Sequence, residues 1–366
     1  MRFFFIVQGE GRGHMTQAMA LFDMLEKKGH KTVAVVVGSS NRRTIPSYFS
    51  EQIHCPIHLL PSPNFVTDKD NKSIKVLPTL FDNLKKTPFF LKSLKNIHLL
   101  VQETRPDIIL NFYDILGGLY NFLYKPNIRL MTIGHQYLVF HPDFPFAKSS
   151  SLQKQLFILN TKITALGAKR MIALSFWDSK KKSHPSLIIC PPVLRRKVKD
   201  LIPAIQPYFL AYIVNSGYSD EIIKVAEKYK NIHFEAFWDE KGMPEKFLAL
   251  PNLVFNQVNE PLFLNKMANC QGLMTTAGFE SVGEAMYLGK KVLMVPVKGQ
   301  YEQQCNALDA VNSGAGVQSS FFDLAPLKTL IENQRSPLSQ VNEFKIWQNT
   351  LETHLDTLLD SEEKTT

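Results

Sequence analysis

The sequence has few cysteines and no long apolar run. Its four cysteines stand at positions 55, 190, 270 and 305, and no two of them form a C-x-x-C pair. This spacing excludes a thiol-redox pair and a zinc ribbon, and it is typical of a protein in a reducing cytosol. No apolar run approaches the ~20 residues that span a bilayer. Fixed-period repeats and low-complexity tracts are also absent, so we expect an ordinary globular, cytoplasmic protein.

Charge is divided unevenly along the chain. Residues 1–200 carry 29 Lys and Arg against 13 Asp and Glu, a net charge of +16, whereas the remainder carries a net charge of −7. A basic first half suits nucleic acid, an anionic membrane face or a phosphorylated substrate as a partner. No recognised nucleic-acid-binding module is present, so we expect no nucleic acid partner. The asymmetry itself favours two domains with different partners.

Strands and helices are predicted to alternate in two separate series. Residues 3–7 form an apolar run that leads into a glycine-rich turn with no cleavage site, which indicates a buried strand and not a signal peptide. The alternation ends near residue 174 and restarts near residue 209, after a proline-bearing segment that also holds the basic run 195–199. The predicted fold class is α/β, with two doubly wound, Rossmann-like domains facing across a cleft. The predicted boundaries are 1–195 for the N-terminal domain, 196–207 for the linker, 208–337 for the C-terminal domain and 338–366 for a C-terminal helix that packs back toward the first domain.

The first strand is followed by a loop that contains Gly9, Gly11 and Gly13 and ends at His14. Glycines let a phosphate or a sugar approach the backbone, and the next helix offers its positive N-terminal end. A dinucleotide-binding fingerprint needs an acid at the end of the second strand, where this chain has the sequence VGSS. A Walker A loop needs G-K-[ST], which is absent. The loop is therefore either a ligand contact or a plain strand-to-helix turn.

A second glycine turn lies in residues 276–284, with the sequence TAGFESVGE. Gly278 stands where a predicted strand changes to a helix, so the amides that follow it are available to a diphosphate. Glu284 lies about two turns into that helix, and its carboxylate suits bidentate bonding to a ribose diol. Glu302 and Gln303 follow the next strand at the same edge of the sheet, where they suit sugar hydroxyls.

Residues 276–307 resemble the donor-binding segment of GT-B fold glycosyltransferases. They are similar to the plant secondary-product branch, with its pattern H-x-G-W-N-S-x-x-E and a later D/E-Q-x-x-N-A, and to the peptidoglycan N-acetylglucosaminyltransferases. Departures are Thr276 in place of the histidine and Glu280 in place of the asparagine. The resemblance extends to the N-terminal glycine loop. The donor-binding residues that we infer from it are Gly11, Gly13, Ser216, Gly217, Thr276, Gly278, Phe279, Glu280, Ser281, Glu284, Glu302 and Gln303.

The resemblance implies a GT-B fold and an inverting transfer of a hexose from a nucleotide diphosphate donor, with UDP as the expected carrier, to an acceptor hydroxyl. It implies that the C-terminal domain binds the donor and the N-terminal domain the acceptor. No cofactor is expected. A D-x-D triplet at Asp68 and Asp70 lies in a polar loop without a supporting strand, so we interpret it as a chance match and expect no required metal.

The resemblance also assigns catalytic roles. The base falls on His14, and the aspartate that orients the base falls on Asp114. A neutral imidazole can take a hydroxyl proton, and a carboxylate can fix its tautomer. The alternatives are that His14 caps its helix or holds the donor phosphates, and that Asp114 is the N-cap of the helix that follows it. His135, after a later strand, is a rival base or a structural histidine.

The acceptor side is marked only by a segment in which apolar and basic residues alternate. Residues 77–100 mix phenylalanine and leucine with four lysines at positions 85, 86, 92 and 95. This composition suits an anionic membrane surface and a lipid acceptor. A helix with its apolar face on the core and its lysines in water has the same composition and is the commoner case. A small-molecule acceptor, a nucleotide-sugar 2-epimerase of the same fold and a non-catalytic binding or anchoring protein stay open as alternatives.

Overall fold

The computed structural model describes residues 1–39, 45–63, 83–148, 151–179, 181, 184–213, 216–333 and 338–363. These residues form two sheets of seven strands each. Every pair of neighbouring strands is parallel except the pair at one edge of the second sheet. The prediction of an α/β fold with two Rossmann-like domains is confirmed.

The first sheet accounts for the first half of the chain. Its strands are β1 (Arg2–Gln8), β2 (Lys31–Ser39), β3 (Ile57–Pro61), β4 (Ile108–Phe112), β5 (Arg129–Gly134), β6 (Arg170–Leu174) and β7 (Leu187–Cys190). They lie in the order β3-β2-β1-β4-β5-β6-β7. The apolar run from Phe3 to Val7 is fully buried because it lies at the centre of the sheet with packed side chains on both faces.

The second sheet repeats this arrangement after residue 207. Its strands are β8 (Tyr208–Ile213), β9 (His233–Trp238), β10 (Lys246–Leu250), β11 (Leu253–Gln257), β12 (Gly272–Thr275), β13 (Lys291–Met294) and β14 (Gly316–Gln318). They lie in the order β10-β11-β9-β8-β12-β13-β14, and β10 is the antiparallel edge strand.

Helices connect the strands of both sheets. Their bounds are α1 (Arg12–Lys27), α2 (Ser47–Gln52), α3 (Thr87–Thr104), α4 (Ile115–Tyr124), α5 (Ser151–Thr164), α6 (Arg196–Lys199), α7 (Ser219–Lys228), α8 (Glu260–Asn269), α9 (Phe279–Tyr287), α10 (Tyr301–Asn312), α11 (Leu324–Asn333), α12 (Leu338–Asn349) and α13 (Leu351–Glu363). Short 3-10 helices span His135–Phe140 and Ser216–Tyr218.

The C-terminal segment differs from the single helix that we expect within 338–366, since α12 ends at Asn349 and α13 begins at Leu351. Two side chains near this break contact the first half of the chain. The Trp347 indole donates to the carbonyl of Ser175 at 2.9 Å, and the Gln348 amide donates to the carbonyl of Pro192 at 2.9 Å. These contacts fasten the C-terminal helices to the loops that follow β6 and β7.

The two sheets present their carboxyl edges to each other. A single buried apolar cluster includes Phe5 of β1, Phe176 after β6 and Phe279 of α9, so the hydrophobic core continues from one half to the other. Helices α1 and α9, each of which follows a central strand of its own sheet, pack against each other. This arrangement brings the two glycine turns of the sequence into one cleft.

Within the described ranges, no helix combines the length and the apolar character that crossing a bilayer requires. The same residues hold no group of three or more His, Cys, Asp and Glu side chains placed to ligate a metal ion. The Asp68 and Asp70 triplet, and the part of the basic-apolar segment that precedes residue 83, lie outside the described residues.

Candidate functional site

The glycine loop of the first half opens α1 without a side-chain cap. Its N-cap residue is Gly11, which has no side chain to serve as a cap. Space is tight two residues further on, because a methyl group at Gly13 would overlap the carboxylate of Glu280 from the other half. Gly13 therefore permits α9 to approach the start of α1 closely.

The donor motif inferred from the sequence forms the start of α9. Gly278 is its N-cap residue, again without a side-chain cap, and the Ser281 hydroxyl donates to the Gly278 carbonyl at 3.2 Å. Thr276 is buried directly before this turn. Phe279 stacks on His135 of the first half, with 4.1 Å between ring centroids, so the aromatic position of the motif belongs to the packing between the halves.

Glu284 lies on α9 with only 1% of its surface exposed. The guanidinium of Arg195 holds both of its oxygens, with Nε 2.6 Å from Oε1 and Nη2 2.6 Å from Oε2. The same guanidinium donates to Glu260 at 2.9 Å, and Lys197 donates to the other oxygen of Glu260 at 2.9 Å. A ribose diol at Glu284 would therefore have to share the carboxylate with an arginine or displace it.

Arg195 is a residue that the sequence analysis missed. Its position in a run of basic residues suggested a solvated linker, whereas its side chain is almost entirely buried. A buried guanidinium is stable here because two carboxylates compensate its charge. The ion pairs raise the pKa of Arg195 beyond its ordinary value, against the opposing effect of burial.

Glu302 and Gln303 differ in where their side chains point. Glu302 accepts from the side-chain amide of Gln136, in the first half, at 2.9 Å. Gln303 accepts from the backbone amide of Val297 at 2.8 Å and so braces the loop of its own domain. Burial raises the pKa of Glu302 to about 6. Within the part of the chain that the structure describes, Glu302 is the one residue of this pair with a hydrogen bond across the cleft.

His14 lies in the first turn of α1 and is buried. Its Nε2 atom is 3.2 Å from the amide nitrogen of Gln136, and its ring stacks on Tyr113 with 5.5 Å between centroids. Burial lowers the pKa of His14 to about 4, so the imidazole is neutral at physiological pH and able to accept a proton. Because the amide of Gln136 also donates to Glu302, it links the imidazole to that carboxylate. Gln136 is a second residue that the sequence analysis missed.

Asp114 caps α4. Its Oδ1 atom accepts from the backbone amide of Leu116 at 2.8 Å and from the hydroxyl of Ser62 at 2.8 Å. No hydrogen bond joins it to His14 among the described residues. Burial raises the pKa of Asp114 to about 6. Of the two roles that the sequence left open for this residue, the structure forms the helix cap.

His135, the rival base, is engaged by its surroundings. Its Nδ1 atom donates to the carbonyl of Leu174 at 2.8 Å, and its Nε2 atom faces Asp309 of α10 at 3.7 Å. Burial lowers the pKa of His135 to about 4 and raises that of Asp309 to about 6. The indole of Trp177 also donates to Asp309, at 2.7 Å. These contacts, together with the stacking on Phe279, place His135 inside the packed interface.

Ser216 and Gly217 form the 3-10 turn before α7. They follow β8, which lies beside β12, so they stand at the same edge of the second sheet as the start of α9. Another contact across the cleft comes from Arg12 of α1, whose guanidinium donates to Asp239 after β9 at 2.6 Å. Gln136 thus brings His14 and Glu302 together at the cleft, and Glu280 lies against Gly13. Both oxygens of Glu284 are held by Arg195.

The chain matches known proteins over nearly its whole length. The family model for glycosyl transferase family 1 matches residues 1–334. A search of the curated proteins returns no significant match.

Solved glycosyltransferases share the fold at low sequence identity. The chain is similar to Phytolacca americana UGT2, complexed with UDP-2-fluoro-glucose and pterostilbene, with a TM-score of 0.64, 11% identity and 99% of each chain covered. It is similar to the spinosyn rhamnosyltransferase SpnG, complexed with thymidine diphosphate, with a TM-score of 0.62, 12% identity and coverage of 98% and 100%. Acinetobacter baumannii MurG gives a TM-score of 0.54, 14% identity and coverage of 98% and 99%. The expected GT-B fold is confirmed.

Because Asp309 is buried, the free energy of unfolding should depend on pH, and a single substitution at this residue tests that dependence. Ionising this carboxylate is unfavourable in the folded protein, so wild-type stability is lost as the pH rises from the ordinary value of 3.8 through about 6. An asparagine cannot ionise, still accepts from Trp177 and offers its amide to His135. Relative to wild type, Asp309→Asn should therefore gain on the order of 2 kcal/mol of unfolding free energy at pH 8 and almost nothing at pH 4. Urea unfolding at the two pH values measures this difference.

The matched control is Asp323→Asn. Asp323 forms an ion pair with Lys228 at 3.1 Å, so its replacement should bring no gain of stability at pH 8. An equal effect of Asp309→Asn at both pH values would show that the buried carboxyl does not titrate as described.

Proposed function

Because the chain belongs to glycosyl transferase family 1 and is a glycosyltransferase of the GT-B fold, we propose that its cleft binds a nucleotide diphosphate hexose and transfers the sugar to an acceptor hydroxyl. UDP is the proposed carrier, and the reaction inverts the anomeric carbon without a metal ion. The observation that carries the proposal is the meeting of two helix N-termini whose N-cap residues are glycines, Gly11 and Gly278, beside the buried His14. UGT2 and SpnG, which share the fold, are seen with UDP and thymidine diphosphate ligands.

The donor is proposed to lie mainly on the second domain. Backbone amides at the start of α9 meet the diphosphate, as the positive end of a helix dipole favours. The donor contacts proposed here are Gly11, Gly13, Ser216, Gly217, Thr276, Gly278, Phe279, Glu280, Ser281, Glu284, Glu302 and Gln303. Glu302 suits a sugar hydroxyl because its side chain faces the cleft, where Gln136 already donates to it.

His14 is the proposed general base. Its neutral imidazole removes the proton of the acceptor hydroxyl while the hydroxyl oxygen bonds to the anomeric carbon. The bond from that carbon to the diphosphate oxygen breaks in the same step, and the helix amides stabilise the charge that develops on the leaving group. Gln136 holds the imidazole through Nε2 before the acceptor arrives. Asp114 supports this site through the helix that it caps. Its Oδ2 atom and the Nδ1 atom of His14 have no hydrogen-bond partner among the described residues.

The ribose role of Glu284 is tested by a pair of matched variants. Glu284→Gln keeps the shape of the side chain and removes the charge that a ribose diol would bond. Glu260→Gln weakens the same Arg195 network from a residue without a proposed donor contact. Isothermal calorimetry with UDP should show an affinity at least tenfold lower for Glu284→Gln, or ~1.4 kcal/mol, and within about threefold of wild type for Glu260→Gln.

A shared loss of UDP affinity in both glutamine variants would mean that Glu284 acts only through the ion-pair network. Unchanged affinity in Glu284→Gln would remove the ribose contact from the proposal.

We also propose that the acceptor is presented at an anionic membrane surface and that the protein binds peripherally, at its cytoplasmic face. The start of α3 and the turn before it expose three large apolar side chains, Leu84, Phe89 and Leu91, at 69%, 60% and 55%. Lysines 85, 86, 92 and 95 are exposed among them. Apolar side chains flanked by lysines favour the interface of an anionic bilayer.

Vesicle sedimentation tests this surface. Wild-type protein should sediment with vesicles that contain phosphatidylglycerol, less so at high salt, and not with neutral phosphatidylcholine vesicles. Phe89→Ser with Leu91→Ser should reduce the bound fraction severalfold. Leu248→Ser changes an equally exposed leucine of the second domain and should leave it unaltered. Equal sedimentation of all three proteins, or no sedimentation of wild type, would contradict the membrane contact.

A further inference from the structure

Glu280 extends from the donor helix to the other side of the cleft. It is the second residue of α9, yet its carboxylate accepts a hydrogen bond from the side-chain amide of Gln17 on α1. The same carboxylate lies against Gly13, at a place where any side chain on residue 13 would collide with it. The contact thus joins the first two turns of α1 to the first turn of α9.

The described groups around the Glu280 carboxylate are neutral or acidic. Among the described residues, its side-chain hydrogen-bond partner is the neutral amide of Gln17. The charged groups that face it there are two further acids, Glu284 on its own helix and Glu302 on α10. Burial, with a smaller contribution from these acids, raises the pKa of Glu280 to about 7. Burying a carboxyl group without a neighbouring cation costs folding free energy. We therefore expect the Glu280 carboxyl group to have a function that a smaller side chain would not serve.

Gln17 connects Glu280 to the proposed base, His14. It lies three residues after His14, so the two side chains are neighbours on one face of α1. Burial lowers the pKa of His14, and the Gln17 amide raises it in opposition. The Gln17 Oε1 and His14 Nδ1 atoms are both buried without a hydrogen-bond partner among the described residues. Any group that fixes Gln17 therefore restrains the proposed base.

We propose that Glu280 is a positioning residue: it clamps Gln17 across the cleft and thereby sets the His14 imidazole over the sugar of a donor bound at α9. This inference rests on the proposed function. It goes beyond that function, because a side chain of the donor domain would align the base that lies on the other domain. The role requires an acceptor oxygen at position 280 rather than a negative charge.

Five variants separate the clamp from the charge. Glu280→Ala and Gln17→Ala each remove the hydrogen bond, and Glu280→Gln keeps the oxygen that accepts it. Gln17→Glu places a second carboxyl opposite the first, and combining it with Glu280→Gln restores the pair with donor and acceptor exchanged. Two readouts are taken: UDP affinity by calorimetry, and acceptor-free release of UDP from UDP-glucose, UDP-galactose and UDP-N-acetylglucosamine.

The clamp predicts a split between binding and turnover. Both alanine variants and Gln17→Glu should release UDP at least tenfold more slowly. Gln17→Ala, which changes no proposed donor contact, should keep a UDP affinity within about threefold of wild type. Glu280→Gln should release UDP severalfold faster than Glu280→Ala, and the exchanged pair should recover most of what Gln17→Glu loses. Wild-type rates in the alanine variants would overturn the proposal, as would a Glu280→Gln variant as slow as Glu280→Ala.

Amide hydrogen exchange tests the contact between Glu280 and Gln17 without requiring that the donor be known. Amides of residues 11–17 should exchange severalfold faster in Glu280→Ala than in wild type, and at the wild-type rate in Glu280→Gln. Wild-type protein that neither binds UDP nor releases it would contradict the proposed function, while this exchange pattern would still support the contact. Equal exchange in all three proteins would refute the clamp alone.

Discussion

The structure depends on one geometric constraint: the carboxyl edges of two parallel sheets face each other. In a parallel sheet, every strand that runs into a helix places that helix's N-terminus at the same edge. With two such edges opposed, α1 and α9 meet at their N-termini, and the polar residues of the loops are forced into contact. The hydrogen bonds from Gln17 to Glu280 and from Gln136 to Glu302 are consequences of this opposition.

The cleft contains two kinds of polar contact, an ion-pair network around Arg195 and hydrogen bonds from neutral glutamine amides. At its base, Arg195 compensates Glu284 and Glu260, because buried charges are tolerated only in well-matched groups. Closer to His14, the bridging groups are neutral glutamine amides, and nearby carboxyls have raised pKa values. A neutral hydrogen bond can break and re-form at a smaller electrostatic cost than an ion pair.

The sequence predicted the features that repeat along the chain and missed those that depend on distant partners. Apolar runs and glycine turns located β1, α1, β12 and α9 to within a few residues, and the resemblance carried by residues 276–307 led to the fold. Edge strands such as β3 and β10 went unpredicted, since they are short and only partly buried. The burial of Arg195 could not be read from its basic neighbours, because its carboxylate partners lie 65 and 89 residues away. The same holds for Gln136, which lies in no recognisable motif.

The central claim is that the facing helix N-termini hold an activated hexose, and the most direct measurement is thermal unfolding of the wild-type protein against a panel of nucleotide sugars. A ligand that binds only the folded form raises the melting temperature by an amount that grows with the logarithm of its concentration once that concentration exceeds Kd. The account predicts that at least one nucleoside diphosphate hexose raises it progressively with concentration, while the matching free nucleoside does not. A panel in which no nucleotide sugar changes the melting temperature at millimolar concentration would contradict it.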